Sequence, residues 1–188
     1  MTVDPMPEEF RGVTPHVVVR DAEAATEFYL RAFGADVFHK AHGPNGRVWH
    51  VELLIAGGRM LLVEAYPEMG IDVPAGPTSV MLHMYVPDAD AAYATALAAG
   101  ASSLMEPWDS FWGDRYCQVL DPSGHRWALA SKIEDLSADE TRQRGDAYIT
   151  EHQDAPQPAQ PPQASDHEDP VRLRGPRPAR STAPPAGG

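Results

Sequence analysis

Two stretches of the chain follow one hydrophobic pattern, "HVVVRDAEAA" beginning at His16 and "HMYVPDADAA" beginning at His83. In each, a histidine opens a short alternating apolar run, which predicts a strand. An aspartate and an alanine-rich stretch follow, which predict a capped helix. Asp21 precedes apolar positions Ala25, Phe28, Tyr29, Ala32 and Phe33, with Gly34 as the stop. Asp88 precedes "AAYATALAA" in the same way, with Gly100 as the stop. After each helix come further strands closed by a hairpin. These are "VWHVELL", "IAGG" and "RMLLVEA" in the first half, and "RYCQVL", "DPSG" and "HRWALAS" in the second. The pattern predicts one α+β domain over about 10–150, built of two tandem β-α-β-β-β modules at about 10–72 and 78–133. Ser137 with Glu140 is a capping box that predicts a further helix over about 137–150. Two copies of a long unit argue against a solenoid.

Turn chemistry assigns side chains to sheet faces. "DPSG" suits a three-residue hairpin loop with Gly124 left-handed. Reading "IAGG" as the same turn pairs Ile55 with Arg59 and sets His50 opposite Glu64. Trp49, Val51, Leu53, Ile55, Leu61 and Val63 then face the helix, and His50, Glu52, Leu54, Met60, Leu62 and Glu64 face away. In the second hairpin Cys117, Val119, Trp127 and Leu129 face the helix; Tyr116, Gln118, Arg126, Ala128 and Ala130 face away. His16, Met81, His83 and Tyr85 also face away, so a pseudo-twofold would bring the two histidines together.

Composition narrows the function classes. The formal net charge of −12 and the lack of clustered basic residues argue against a nucleic-acid partner. No apolar run approaches the roughly 18 residues of a membrane span, and the N-terminus has no signal-peptide core. The one cysteine, Cys117, excludes an internal disulfide and fits a reducing compartment, with the cytoplasm as the expected location. The first nine residues are expected to be flexible. The proline-rich stretch over 151–188 has too few large apolar residues to offset its ordering entropy and is expected to be disordered.

The segments "VTPHVVVRDAEAATEFYLRAFGA", "VWHVELLIAG", "SFWGDRYCQVLDPSGHRWALAS" and "EDLSADE" resemble the vicinal oxygen chelate superfamily, more narrowly its PhnB-like branch. That superfamily includes glyoxalase I, bleomycin-resistance proteins and extradiol dioxygenases. The resemblance covers about residues 10–150 and implies two sheets curving around one shared cavity, a homodimer, and a small-molecule ligand. It implies a metal in the enzymes and none in the drug-binding members. The superfamily's usual ligand positions fall here on Thr14, Leu62, Met81 and Ala128, none of them a good ligand. Moving each by two residues, which keeps the strand face, gives His16, Glu64, His83 and Ala130. His16, Glu64 and His83 would suit Fe(II), Mn, Ni or Zn with coordination positions left open. Glu64 is then a ligand or a catalytic base. Two function classes follow: a metal-dependent lyase, isomerase or dioxygenase, or a protein without metal that binds and sequesters a drug or metabolite.

The remaining cavity candidates are His50, Glu52, Tyr85, Tyr116, Gln118 and Arg126 on the strand faces. His50 and Glu52 either orient a ligand or line a wet cleft. In "PWDSFWGDRY", Trp108, Phe111 and Trp112 are costly to leave in water. They form either the lip of the cavity or a plug on the second sheet or a dimer interface.

Overall fold

The computed structural model describes residues 12–44, 46–76 and 78–152, with Pro5, Pro7 and Phe10. The tail expected to be disordered lies outside the described residues beyond His152, as does most of the N-terminal stretch. Module 1 runs β1 (His16–Val19), α1 (Ala22–Phe33), β2 (Asp36–His42), β3 (Val48–Ile55) and β4 (Gly58–Glu64). Module 2 runs β5 (Met81–Tyr85), α2 (Ala89–Ala99), β6 (Ser102–Asp109), β7 (Asp114–Leu120) and β8 (Arg126–Lys132), and α3 (Ala138–His152) follows. Each module forms a four-stranded sheet of the same topology, β1-β4-β3-β2 and β5-β8-β7-β6. The first strand of each lies parallel to the last and the others are antiparallel.

The local causes repeat between the modules. Asp21 accepts a hydrogen bond from Ala24 N–H, and Asp88 one from Ala91 N–H, each satisfying a donor of the first helical turn. Gly34 and Gly100 end the helices at φ of 62° and 115°, a region that glycine enters without a Cβ penalty. Ser137 and Glu140 cap α3 reciprocally, Glu140 N–H donating to Ser137 Oγ and Ser137 N–H to Glu140 Oε2. No helix among the described residues is long and apolar enough to cross a membrane.

The helix-facing sides of both sheets merge into one apolar core. Val17, Val19, Val51, Leu53 and Leu62 of the first sheet join Phe28 and Tyr29 of α1, and Met84, Cys117, Val119, Trp127 and Leu129 of the second. The "DPSG" turn docks module 2 on module 1. Asp121 Oδ2 accepts from Tyr29 Oη at 2.6 Å and Trp127 Nε1 at 3.1 Å, and its Oδ1 accepts from the Ser123 and His125 amides. The His125 ring reaches Val18 O at 2.7 Å.

One register differs from expectation. The β3–β4 loop is two residues long: Ile55 pairs with Gly58 rather than Arg59, and His50 pairs with Val63 rather than Glu64. Ala56 and Gly57 both carry positive φ, 48° and 78°, the signature of a type I′ turn. Because side chains alternate with period two, a slip of one residue turns all of β4 over. Met60, Leu62 and Glu64 therefore face the helix, and Leu61 and Val63 face away. Trp49 differs too. An extra residue in β3 between the pairs Ala41–His50 and His42–Val48 makes a bulge, so Val48 enters the core and Trp49 is left 47% exposed.

Candidate functional site

On the outer face of the first sheet, β1 presents His16, β3 His50 and Glu52, and β4 Arg59. The His16 and His50 rings meet edge to face, 5.9 Å between centroids. His50 Nε2 lies 3.8 Å from Glu52 Oε1, and Arg59 Nη1 donates to Glu52 Oε2 at 3.0 Å. The Arg59 guanidinium stacks 3.7 Å from the Phe38 ring centroid. Desolvation, with a smaller push from His50, holds His16 below the usual imidazole range, so it is neutral at pH 7. Sequence reasoning missed Arg59 because the assumed three-residue turn left it beside the loop; the two-residue turn pairs it with Leu54.

The outer face of the second sheet carries His83, Tyr85, Tyr116 and Gln118. The His83 ring centroid is 5.2 Å from Tyr85 and 6.1 Å from Tyr116, and Gln118 Nε2 donates to Tyr116 Oη at 3.0 Å. Trp108 and Trp112 pack on Tyr116, Ala128 and Ala130. Phe111 packs against Trp112, and Tyr148 of α3 closes over Trp108 and Phe111. Asp114, 2% exposed, accepts from Tyr85 Oη and Trp112 Nε1 through Oδ2. That carboxylate raises the Tyr85 hydroxyl above the usual phenol range. The sequence gives no sign of it, since the contact joins residues of β5, β7 and the β6–β7 turn.

Of the cavities where the modules meet, two are bordered by the histidines of the repeated phrase. The larger, about 550 Å³, is bordered by His16 and Val18 of β1, by Asp72, Pro74, Ser79 and Val80 of the linker, and by His125 and Arg126. The smaller, about 230 Å³, lies between Pro15, Arg59 and the β5 residues Met81 and His83. The two histidines that open the repeated phrase thus border different cavities.

Glu64 joins neither histidine. It is 4% exposed, on the helix face beside Val19, where its Oε1 accepts from Ala22 N–H at 3.1 Å and it ion-pairs with Arg47. Its carboxylate supports the start of α1, where negative charge is favoured. Among the described residues no group of three or more His, Cys, Asp or Glu side chains is placed to hold one ion. The fourth position on β8 is alanine whether taken at Ala128 or Ala130. The donor set therefore does not fit the metal that the enzymes of such a family hold. Cys117 is no substitute nucleophile, since burial pushes its thiol up to about 11.

Comparison with known proteins agrees with this architecture. The chain is 38% identical over 134 residues to an uncharacterized protein of Mycobacterium bovis, Mb0911c, spanning 69% of this chain and 88% of that one. A glyoxalase-related enzyme from Fulvimarina pelagi superposes with a TM-score of 0.54 at 22% identity, covering 69% of this chain and 94% of that one. The fosfomycin resistance protein FosX of Listeria monocytogenes, in complex with Mn(II) and sulfate, gives 0.54 at 17% identity, covering 72% and 98%. The family model described as the Glyoxalase/Bleomycin resistance protein/Dioxygenase superfamily matches residues 13–129. With that match running through both modules, the chain belongs to the glyoxalase/bleomycin resistance protein/dioxygenase superfamily.

Proposed function

We propose that this protein binds a small molecule in the cleft between its modules without a resident metal ion. The observation that carries the reading is the placement of Glu64. The carboxylate expected to join His16 and His83 is instead spent on the Ala22 amide and Arg47, inside the core. The cleft remains a ligand site on other grounds. A cavity of about 550 Å³ is within the range of small-molecule sites, roughly 300–1,000 Å³. It joins apolar walls from Val18 and Leu82 to polar groups from His16, His125 and Arg126. The other reading, a metal-dependent lyase, isomerase or dioxygenase, needs three ligands around one ion.

Calorimetric titration of protein purified without a histidine tag, with Fe(II), Mn, Ni and Zn in turn, separates the two. The expected result is no stoichiometric uptake by any of them. One equivalent bound, and lost in both His16→Ala and His83→Ala, overturns the reading.

A second copy of the chain covers the outward sheet faces in this proposal. Their exposed apolar groups support it: Phe38 and Tyr85 are 56% and 58% exposed, with Trp49 and Met81 uncovered nearby. Sedimentation velocity is expected to give a dimer at micromolar concentration. A monomer at every concentration removes this part of the proposal.

A further inference from the structure

We propose that Arg126 is the anion-reading group of the cleft and holds a carboxylate or phosphoryl group of the ligand side-on. This rests on the cleft being the ligand site and adds the chemical class of what it takes. Arg126 opens β8, on the face away from the helices, and borders the larger cavity. Its Nε–H is shut off from solvent and meets no acceptor among the described residues. A buried donor on a cation left unpaired is costly, which favours a turn of the side chain that brings its Nε edge into the cavity it already borders, where an arriving acceptor can meet it.

Most of the other described arginines, though not Arg20 or Arg31, meet a carboxylate. Arg59 pairs with Glu52, Arg115 with Asp90 and Asp109, Arg142 with Asp139, and Arg144 with Glu134. With a net charge of −12, acidic partners are plentiful, and Arg126 has been given none on its Nε. Asp72 borders the same cavity and accepts from Val73 N–H at 2.7 Å, but it does not meet the Arg126 Nε.

Geometry selects the ligand group. Nε–H and one Nη–H of a guanidinium point the same way and match two oxygens of one carboxylate or phosphoryl group. The surrounding groups suit an oxyanion that also carries hydrogen-bonding atoms. His16, neutral at pH 7, offers a donor or an acceptor on the opposite wall. His125 turns its Nε2 to the Val18 carbonyl, to which it donates, and its ring borders the same cavity. Ser79 adds a hydroxyl from the linker.

The test is a nitrogen-15 NMR titration of the full chain with sodium phosphate and, separately, sodium acetate, at ionic strength held constant with chloride. The Arg126 Nε–H resonance is identified by its loss in Arg126→Lys. It is expected to shift saturably with one or both anions, and the anion that moves it tells phosphoryl from carboxylate. Arg126→Lys keeps the charge but lacks the fork, so anion affinity is expected to fall about tenfold or more. An Nε–H signal unmoved by either anion overturns the proposal, as does unchanged affinity in the lysine variant. A shift at His16 with Arg126 unmoved removes Arg126 and leaves the cleft as the site. Stoichiometric metal uptake in the separate titration removes the metal-free reading while leaving the Arg126 result to stand or fall by itself.

Discussion

Glu64 shows how much one side chain's direction decides. Its neighbours on β4 alternate between core and outer face, and a single step of register separates a metal ligand from a helix-supporting carboxylate. Replacing Glu64 with alanine strips the Ala22 amide of its acceptor and removes the ion pair between Glu64 and Arg47. The expected cost is about 1–3 kcal/mol, the range for leaving a buried polar group unsatisfied. Glu64→Gln keeps an oxygen for the amide and is expected to cost less. Urea unfolding of the three proteins checks the order. A glutamine variant as unstable as the alanine one would mean that the charge, not the amide contact, carries the effect.

At the scale of elements, the β3–β4 turn carries the same question in another form. Ala56 occupies a left-handed conformation, φ 48°, which costs an L-residue with a Cβ roughly 1 kcal/mol. Ala56→Gly is therefore expected to stabilise the protein by about 0.5–1 kcal/mol, against the usual loss from added chain entropy. In the three-residue loop that the sequence suggests, Ala56 would sit at ordinary φ and the same change would destabilise. The sign of the shift in urea midpoint thus reports the register directly. The matching hairpin in module 2 follows the other rule: Asp121 N–H bonds His125 O, enclosing three residues with Gly124 at φ 98°. The repeat preserved the strands and changed the turn.

Across the whole molecule, the modules share a core and are joined by a polar contact within it. Asp121, 4% exposed, gathers four donors, one of them the Tyr29 hydroxyl of the other module. Burial and the Asp121 charge raise the Tyr29 hydroxyl well above the usual phenol range, so it stays a donor at any physiological pH. Asp121→Ala leaves Tyr29 Oη and Trp127 Nε1 without an acceptor in the core, at an expected cost of about 3 kcal/mol. Tyr29→Phe removes one partner and is expected to cost less. The double variant is expected to be less destabilised than the sum of the two, because they break one shared bond. Strict additivity in urea unfolding would show that the contact does not couple the modules.

Much of this was legible in the chain. Asp21, Asp88, Gly34 and Gly100 mark both helices because caps and stops are local chemistry, and the alternation in "HVVVR" and "LHMYV" identifies strands for the same reason. The placement of His16, His83, Tyr116 and Arg126 away from the helices also followed from period-two patterning. What the tertiary structure decided depends on contacts between distant residues. "IAGG" admits two loop lengths, and the choice between them moved Glu64 from the outer face to the core. The bulge at Trp49, the Tyr85–Asp114 contact and the reach of His125 to Val18 arise from pairings that no local pattern encodes. So does the solitary Nε of Arg126: a sequence displays which residue is charged, but only the folded chain leaves that nitrogen without an acceptor among the described residues.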